Sequence, residues 1–282
     1  MGSKNTGFTL IELVAVILVL GIVGVGTGSF VSSSMQVYID VVTRDKLLTS
    51  SRFAIERMAR ELQAAVPGSV RIGGNASQHC IEFVPALFST HYTNLPLQPS
   101  TDTVVDAVFP VDARGNVYVV QPGTAMVVNP ESSADVYNAS NNKVQEITQC
   151  HDDGDGSCAT RDDSDDIIQI TVNSAFAGES PDSKLYFVDG SVNYCVLNNT
   201  LVRFDNDIGT TQASGSLSYP RLTTNVVNTL SANPSLGASA SDPFVYIPAT
   251  AERDAAVQLR LQVQQDQETL NWHREVRLGY RR

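Results

Sequence analysis

Phe8-Thr-Leu-Ile-Glu12-Leu-Val-Ala-Val-Ile-Leu-Val-Leu-Gly21-Ile-Val-Gly24-Val-Gly26-Thr-Gly28-Ser-Phe-Val31 is an almost unbroken apolar run that carries a single acid near its start. About 20 apolar residues are enough to cross a bilayer as a helix, so residues 8–31 read as a membrane-length helix. A carboxylate inside such a helix is costly, about 2.5–3.5 kcal/mol for a related acid at mid-helix on insertion scales. A segment that only anchored would have no need of Glu12. The acid should therefore have a partner, and an ammonium group is the obvious candidate.

Met1-Gly-Ser-Lys4-Asn-Thr-Gly7 precedes this run as a short polar leader with one base, and Lys4 favours a cytoplasmic N-terminus. An ordinary secretory signal would place a small-x-small cleavage site after its apolar core and hold no acid inside it. Gly26-Thr-Gly-Ser29 offers the small residues, but Glu12 argues against that reading. The glycines at 24, 26 and 28 follow no strand, so they are not a nucleotide loop and are expected to soften or kink a packed helix.

The helical pattern continues past the apolar run. No Pro or Gly occurs from Met35 to Val66, and Val37, Val41, Leu48, Ile55, Met58, Leu62 and Val66 recur at helical spacing among charged residues. Pro67-Gly68 then stops the helix. Residues 8–66 are thus expected as one helix about 90 Å long at 1.5 Å per residue, its second half laying an apolar stripe across a sheet.

Beyond Pro67 the texture becomes short β-type segments separated by Gly, Pro, Asn, Asp and Ser. Residues 80–84, 104–109, 117–121, 125–128 and 167–172 read as strands. Residues 185–188, 191–197 and 200–204 read as a three-stranded meander turning at Asp189-Gly190 and Asn198-Asn199. Val257, Leu259, Leu261 and Val263, then Leu270, Trp272, Val276, Leu278 and Tyr280, give a long terminal hairpin with one buried face. The expected fold is α+β, one long transmembrane and amphipathic N-terminal helix packed on an antiparallel β-sheet, with no second core. The domain boundaries are a leader at 1–7, the helix at 8–66 with its membrane part at 8–31, and a β-rich globular domain at 67–282.

The chain has 282 residues and a formal net charge of −11, which becomes −12 without the leader and Lys4. So acidic a chain repels nucleic-acid phosphate, and nucleic acid is not an expected partner. Four cysteines in an exported chain suggest an oxidising compartment. They allow three pairings, among which sequence alone does not choose.

The leader, Gly7, Phe8 and Glu12 resemble the class III signal of type IV pilins and their relatives. The resemblance implies cleavage by a prepilin peptidase between Gly7 and Phe8, N-methylation of Phe8, and a contact between Glu12 and the Phe8 amine of a neighbouring subunit. It implies the type IV pilin fold, an inner-membrane protein with a periplasmic C-terminal domain, and exposure on a pilus after assembly. Cys80-Ile-Glu-Phe-Val-Pro85, Ser180-Pro-Asp-Ser-Lys-Leu-Tyr-Phe-Val-Asp-Gly-Ser-Val-Asn-Tyr-Cys195 and Leu201-Val-Arg-Phe204 are similar to the large minor pilins of the mannose-sensitive haemagglutinin (MSHA) pilus, the MshO type. That likeness implies a role in starting or capping the filament beside other pilins and minor pilins. A type II secretion pseudopilin shares the leader, helix and sheet and is the main alternative. An adhesive or DNA-uptake subunit is a third.

Cys80 and Cys195, each in a stretch that carries the resemblance, are expected to pair, leaving Cys150 and Cys158 to close a short ring. Seven Asp residues lie in and after that ring. With Gly156 at the sixth position of a calcium loop, Asp153, Asp155 and Asp162 fall at ligand positions three, five and twelve. His151 then stands at position one and Asp162 replaces the usual glutamate, so a solvated acidic loop is the competing reading, and no other cofactor is expected. No Gly-x-Ser-x-Gly or His-Glu-x-x-His is present, so no enzymatic activity is expected. The basic stretch 271–282 reads as a strand whose charged side chains face water.

Overall fold

A computed structural model describes residues 7, 9–112, 114–152, 158, 166–234, 239, 241–250, 252–265 and 268–278. The chain divides into two units, Met1–Thr49 and Ser50–Arg282. One helix, α1, spans Leu10–Gln63 and runs across that division.

In the first unit the apolar side chains of α1 are exposed, from Leu10 at 81 % to Val41 at 61 %. Val37 and Val41, expected on the buried stripe, are among them, so the exposed apolar surface runs about ten residues past the expected end of the membrane part. Hydroxyls of this stretch bond to their own helix. Thr27 Oγ donates to the Val23 carbonyl (2.6 Å) and Ser34 Oγ to that of Phe30 (2.8 Å). Such bonds satisfy hydroxyls where lipid offers no partner. The helix is continuous through Gly21, Gly24, Gly26 and Gly28, and a Cβ at any of them would meet open space.

In the second unit Ser51, Ala54, Ile55, Met58 and Leu62 form the buried stripe at 3–4-residue spacing. The helix stops at Gln63, three residues before its expected end. Ala64 and Ala65 N–H groups turn to carbonyls three residues back (both 3.1 Å), and the Val66 N–H donates instead to Val84 (2.8 Å). Pro67-Gly68 follows as a turn closed by Ser69 N–H on the Val66 carbonyl (3.0 Å), with Gly68 at φ +77°, the positive angle that position i+2 of a type II turn requires.

Two sheets and a barrel follow. The first sheet is antiparallel and joins β1 (Arg71–Asn75), β2 (Gln78–Phe83), β9 (Ser191–Leu197), β10 (Thr200–Asn206) and β11 (Arg221–Thr224) in that order. β12 (Phe244–Ile247), β13 (Ala255–Gln265) and β14 (Glu268–Leu278) make a second sheet, and this contains the expected terminal hairpin. The remaining strands close a six-stranded barrel. Its members are β3 (Phe88–Asn94), β4 (Val104–Val108), β5 (Ala125–Val128), β6 (Val144–Asp152), β7 (Ile167–Val172) and β8 (Lys184–Val188), in the order β3-β4-β7-β6-β5-β8. A short helix α2 (Ser133–Tyr137) and a 3-10 turn (Ala139–Asn141) lie between β5 and β6. The α+β class holds, but the barrel encloses a core of its own, including Tyr92, Val105, Met126, Ile168, Ile170 and Phe187. The expectation of a single core is corrected accordingly.

Two local expectations also change. Asp189-Gly190 is not a hairpin turn: neither residue has positive φ, whereas Asn198 (45°) and Asn199 (58°) both do and join β9 to β10 tightly. Both edges of β8 are already taken by β3 and β5, and both edges of β9 by β2 and β10. The chain therefore crosses from barrel to sheet at Gly190, where a Cβ would lie 2.9 Å from the Asn206 carbonyl. Residues 117–121 form one bridge, Val111↔Val117, rather than a strand. Their alternation has another cause, since Tyr118 stacks on Phe88 (5.6 Å) and lies 5.1 Å from Phe187 against the barrel core.

Candidate functional site

Helix α1 begins with a reciprocal cap. Thr9 precedes it, and the Glu12 Oε2 accepts both the Thr9 N–H and the Thr9 hydroxyl at 3.0 Å. The Glu12 N–H in turn donates to Thr9 Oγ at 3.4 Å. Thr9-Leu-Ile-Glu12 is thus a capping box, in which a side chain at each end satisfies an amide that the first helical turn leaves unpaired. The motif was legible as Thr-x-x-Glu ahead of an apolar run. It gives Glu12 a partner within its own chain, and no hydrogen bond involves Oε1 among the described residues. Phe8 and residues 1–6 of the leader lie outside the described residues. The helix has an 18-residue window of mean hydropathy 2.6, none of it buried, which makes it long and apolar enough to cross a membrane.

Cys80 and Cys195 face each other in the β2–β9 register and are disulfide-bonded, with Cα atoms 4.1 Å apart. The segment after β10 covers them: Gln212 Nε2 donates to the Cys80 carbonyl (3.1 Å), and a Cβ on Gly215 would stand 2.7 Å from Cys195 Cβ. Cys150, at the end of β6, is bonded to Cys158, with Cα atoms 5.9 Å apart. Asp153, Asp155 and Asp162 lie outside the described residues. Among the described residues no group of three His, Cys, Asp or Glu side chains could hold a metal ion.

A polar cluster fixes the end of α1 to the first sheet. Glu61 accepts from Arg57 Nε (2.8 Å) and from Arg203 Nε of β10 (3.0 Å), and Arg203 also binds Asp205 (2.8 Å). Burial works against the charged form of Glu61, but the hydrogen bonds from Arg57 and Arg203 outweigh it and hold its carboxyl below the ordinary value. Arg71 and Glu82, opposite each other on β1 and β2, form a second pair at 2.8 Å, with the guanidinium 3.6 Å over the Tyr137 ring.

His79, Ser231 and Asp242 come together in the interior, three residue types that sequence spacing did not connect. His79 Nε2 lies 2.8 Å from the Ser231 carbonyl, and Nδ1 lies 3.6 Å from Asp242. Ser231 gives its hydroxyl proton to Asp242 (2.8 Å), not to the imidazole. Nucleophilic catalysis needs the hydroxyl on the imidazole and the carboxylate behind it, so the connectivity is wrong for that chemistry. Asp242 also accepts from the N–H groups of Ser231 (2.9 Å) and Ser239 (2.7 Å). The contacts act as a fastening that holds Ser231 and Asp242 against His79 of β2.

Residues 2–28 match the family described as the prokaryotic N-terminal methylation motif. No curated protein and no solved structure matches the chain. The matched motif supports a type IV pilin-like family with a pilin or pseudopilin type of role, structural rather than catalytic, and processing by a prepilin peptidase. Together with the single N-terminal apolar helix it fits a membrane-anchored pilin.

Proposed function

We propose that this chain is a minor pilin of an MSHA-type type IV pilus, with an assembly role in starting or capping the filament. Prepilin peptidase cuts between Gly7 and Phe8 and methylates Phe8. The helix then holds the subunit in the inner membrane with the β-rich part in the periplasm, and the exposed apolar length of α1 joins other pilins. The observation that carries this reading is the methylation motif at residues 2–28, set on a helix whose apolar side chains are exposed through Val41. The large β-rich part favours a minor position, because a barrel added to the usual sheet is bulky for a repeating subunit. The internal stretches similar to MSHA minor pilins favour that system over a secretion pseudopilin.

In this scheme Glu12 keeps its cap to Thr9 while Oε1 accepts the Phe8 ammonium of a neighbour, which would neutralise a charge in an apolar setting. The test is deletion of the gene in a piliated host. Loss of surface pili with an intact secretion phenotype supports the reading, together with recovery of other minor pilins on this chain. Normal piliation with a secretion defect would instead assign it to a pseudopilus.

A further inference from the structure

Two adjoining hollows, of about 420 and 340 Å³, share Asp189 and Asp207 on the surface of the second unit. The floor of the larger is apolar, with Val136, Val144, Val188 and Ile208. These residues belong to or pack on one core cluster, so the floor is preformed. The smaller continues it toward Leu87, which is 48 % exposed. Around the floor stand the carboxylates of Glu146, Asp189 and Asp207, all exposed. None of the three has a hydrogen-bond or ion-pair partner among the described residues. Arg203, the base nearest them along β10, is already held by Glu61 and Asp205.

An apolar floor inside an unneutralised acidic rim sets the chemistry of an occupant. Anions and nucleic acid are repelled, and a metal ion finds no set of three ligands among the described residues. A lysine or arginine fits both parts, since its aliphatic stem covers apolar surface while its charged head reaches the rim. The two volumes together suit a few side chains rather than a globular surface. We infer that this groove docks a basic segment of a protein partner, in which Lys or Arg side chains flank an aliphatic anchor. The segment lies across β8 and the end of β10, its anchor on Val188 and Ile208 and its cations at Asp189, Asp207 and Glu146. The inference uses the surface of the second unit alone and stands or falls separately from the filament reading.

The experiment uses the full chain in non-ionic detergent and a fluorescein-labelled probe peptide, Gly-Lys-Leu-Arg-Leu-Lys-Gly, followed by anisotropy at low salt. Saturable binding is expected, weakened at least about tenfold by Asp189→Asn with Asp207→Asn, and by rising salt. These carboxylates are exposed and unpaired, so the double variant keeps its fold, and an unchanged thermal transition verifies this. A probe with Ser in place of Leu should bind several-fold more weakly. Absence of saturable binding up to about millimolar peptide, equal binding by the double variant, or equal binding of the Ser probe would each overturn the inference. The last outcome would mark simple counter-ion adsorption.

Discussion

Removing the Cys80–Cys195 link by Cys80→Ala with Cys195→Ala should be the most destabilising change available at either disulfide. The two residues are 115 positions apart, against 8 for Cys150 and Cys158. Loop-closure entropy then gives about 4.8 kcal/mol for the long loop and about 2.6 kcal/mol for the short ring at 25 °C. On the folded side little should change. The β2–β9 register runs through six residue pairs, and β9 is held again by the β10 hairpin. The effect should therefore appear as a less restricted unfolded chain rather than a distorted native one. Urea unfolding of the full chain in detergent measures it, with Trp272 as a convenient probe because its Nε1 donates to Ser51 Oγ at 3.0 Å and it is the sole tryptophan. The long-loop variant should lose about 3–5 kcal/mol, and Cys150→Ala with Cys158→Ala about half as much. Equal losses, or a larger loss from the short ring, would refute the loop-entropy reasoning.

Three further outcomes follow from named contacts. Glu12→Gln retains an acceptor for the Thr9 cap and removes the charge, so membrane insertion should persist while co-purification of partner pilins is lost. Thr9→Val weakens the cap but keeps the Glu12 charge, so partner pilins should still be recovered, and full recovery of partners by Glu12→Gln would reduce Glu12 to a helix cap. Glu61 has a pKa depressed below 4.5, so its contribution to stability is complete above that value and disappears as pH falls through the folded-state pKa. The wild-type urea midpoint should drop on acidification below about pH 4.5, and Glu61→Gln should flatten that part of the profile. Gly215→Val places side-chain atoms against Cys195 and Leu197. It should cost about 1–3 kcal/mol and speed reduction of the Cys80–Cys195 bond, read by thiol labelling; unchanged labelling would show that the covering segment is not tight.

The α-helical half of the fold was legible because its signals are local. A long apolar run, a helical stripe and a Pro-Gly stop sit in one continuous stretch. The terminal hairpin was legible for the same reason, each strand alternating along its own sequence. The barrel was not, and β6 shows why. Its apolar residues Val144, Ile147 and Cys150 are spaced by three, a helical interval, because the pairing with β7 shifts register between Ile147 and Gln149. A bulge resets which face points inward, and no period-2 count survives it. The Asp189-Gly190 dipeptide carried a hairpin signal that tertiary pairing overrode, since β8 and β9 had no free edge for each other. At the N-terminus the unusual acid is visible in the sequence, and Thr9, its partner within the chain, stands three residues before it. The His79, Ser231 and Asp242 fastening draws on positions up to 163 residues apart, and nothing local announces it.

The central claim is that the chain is processed as a prepilin, and mass spectrometry of its N-terminus tests it most directly. Protein extracted from membranes of cells with an active prepilin peptidase should begin at N-methylated Phe8, and the same chain from peptidase-deficient cells should retain residues 1–7. An intact Met1 in peptidase-positive cells, or a cut near Ser29, would contradict the account.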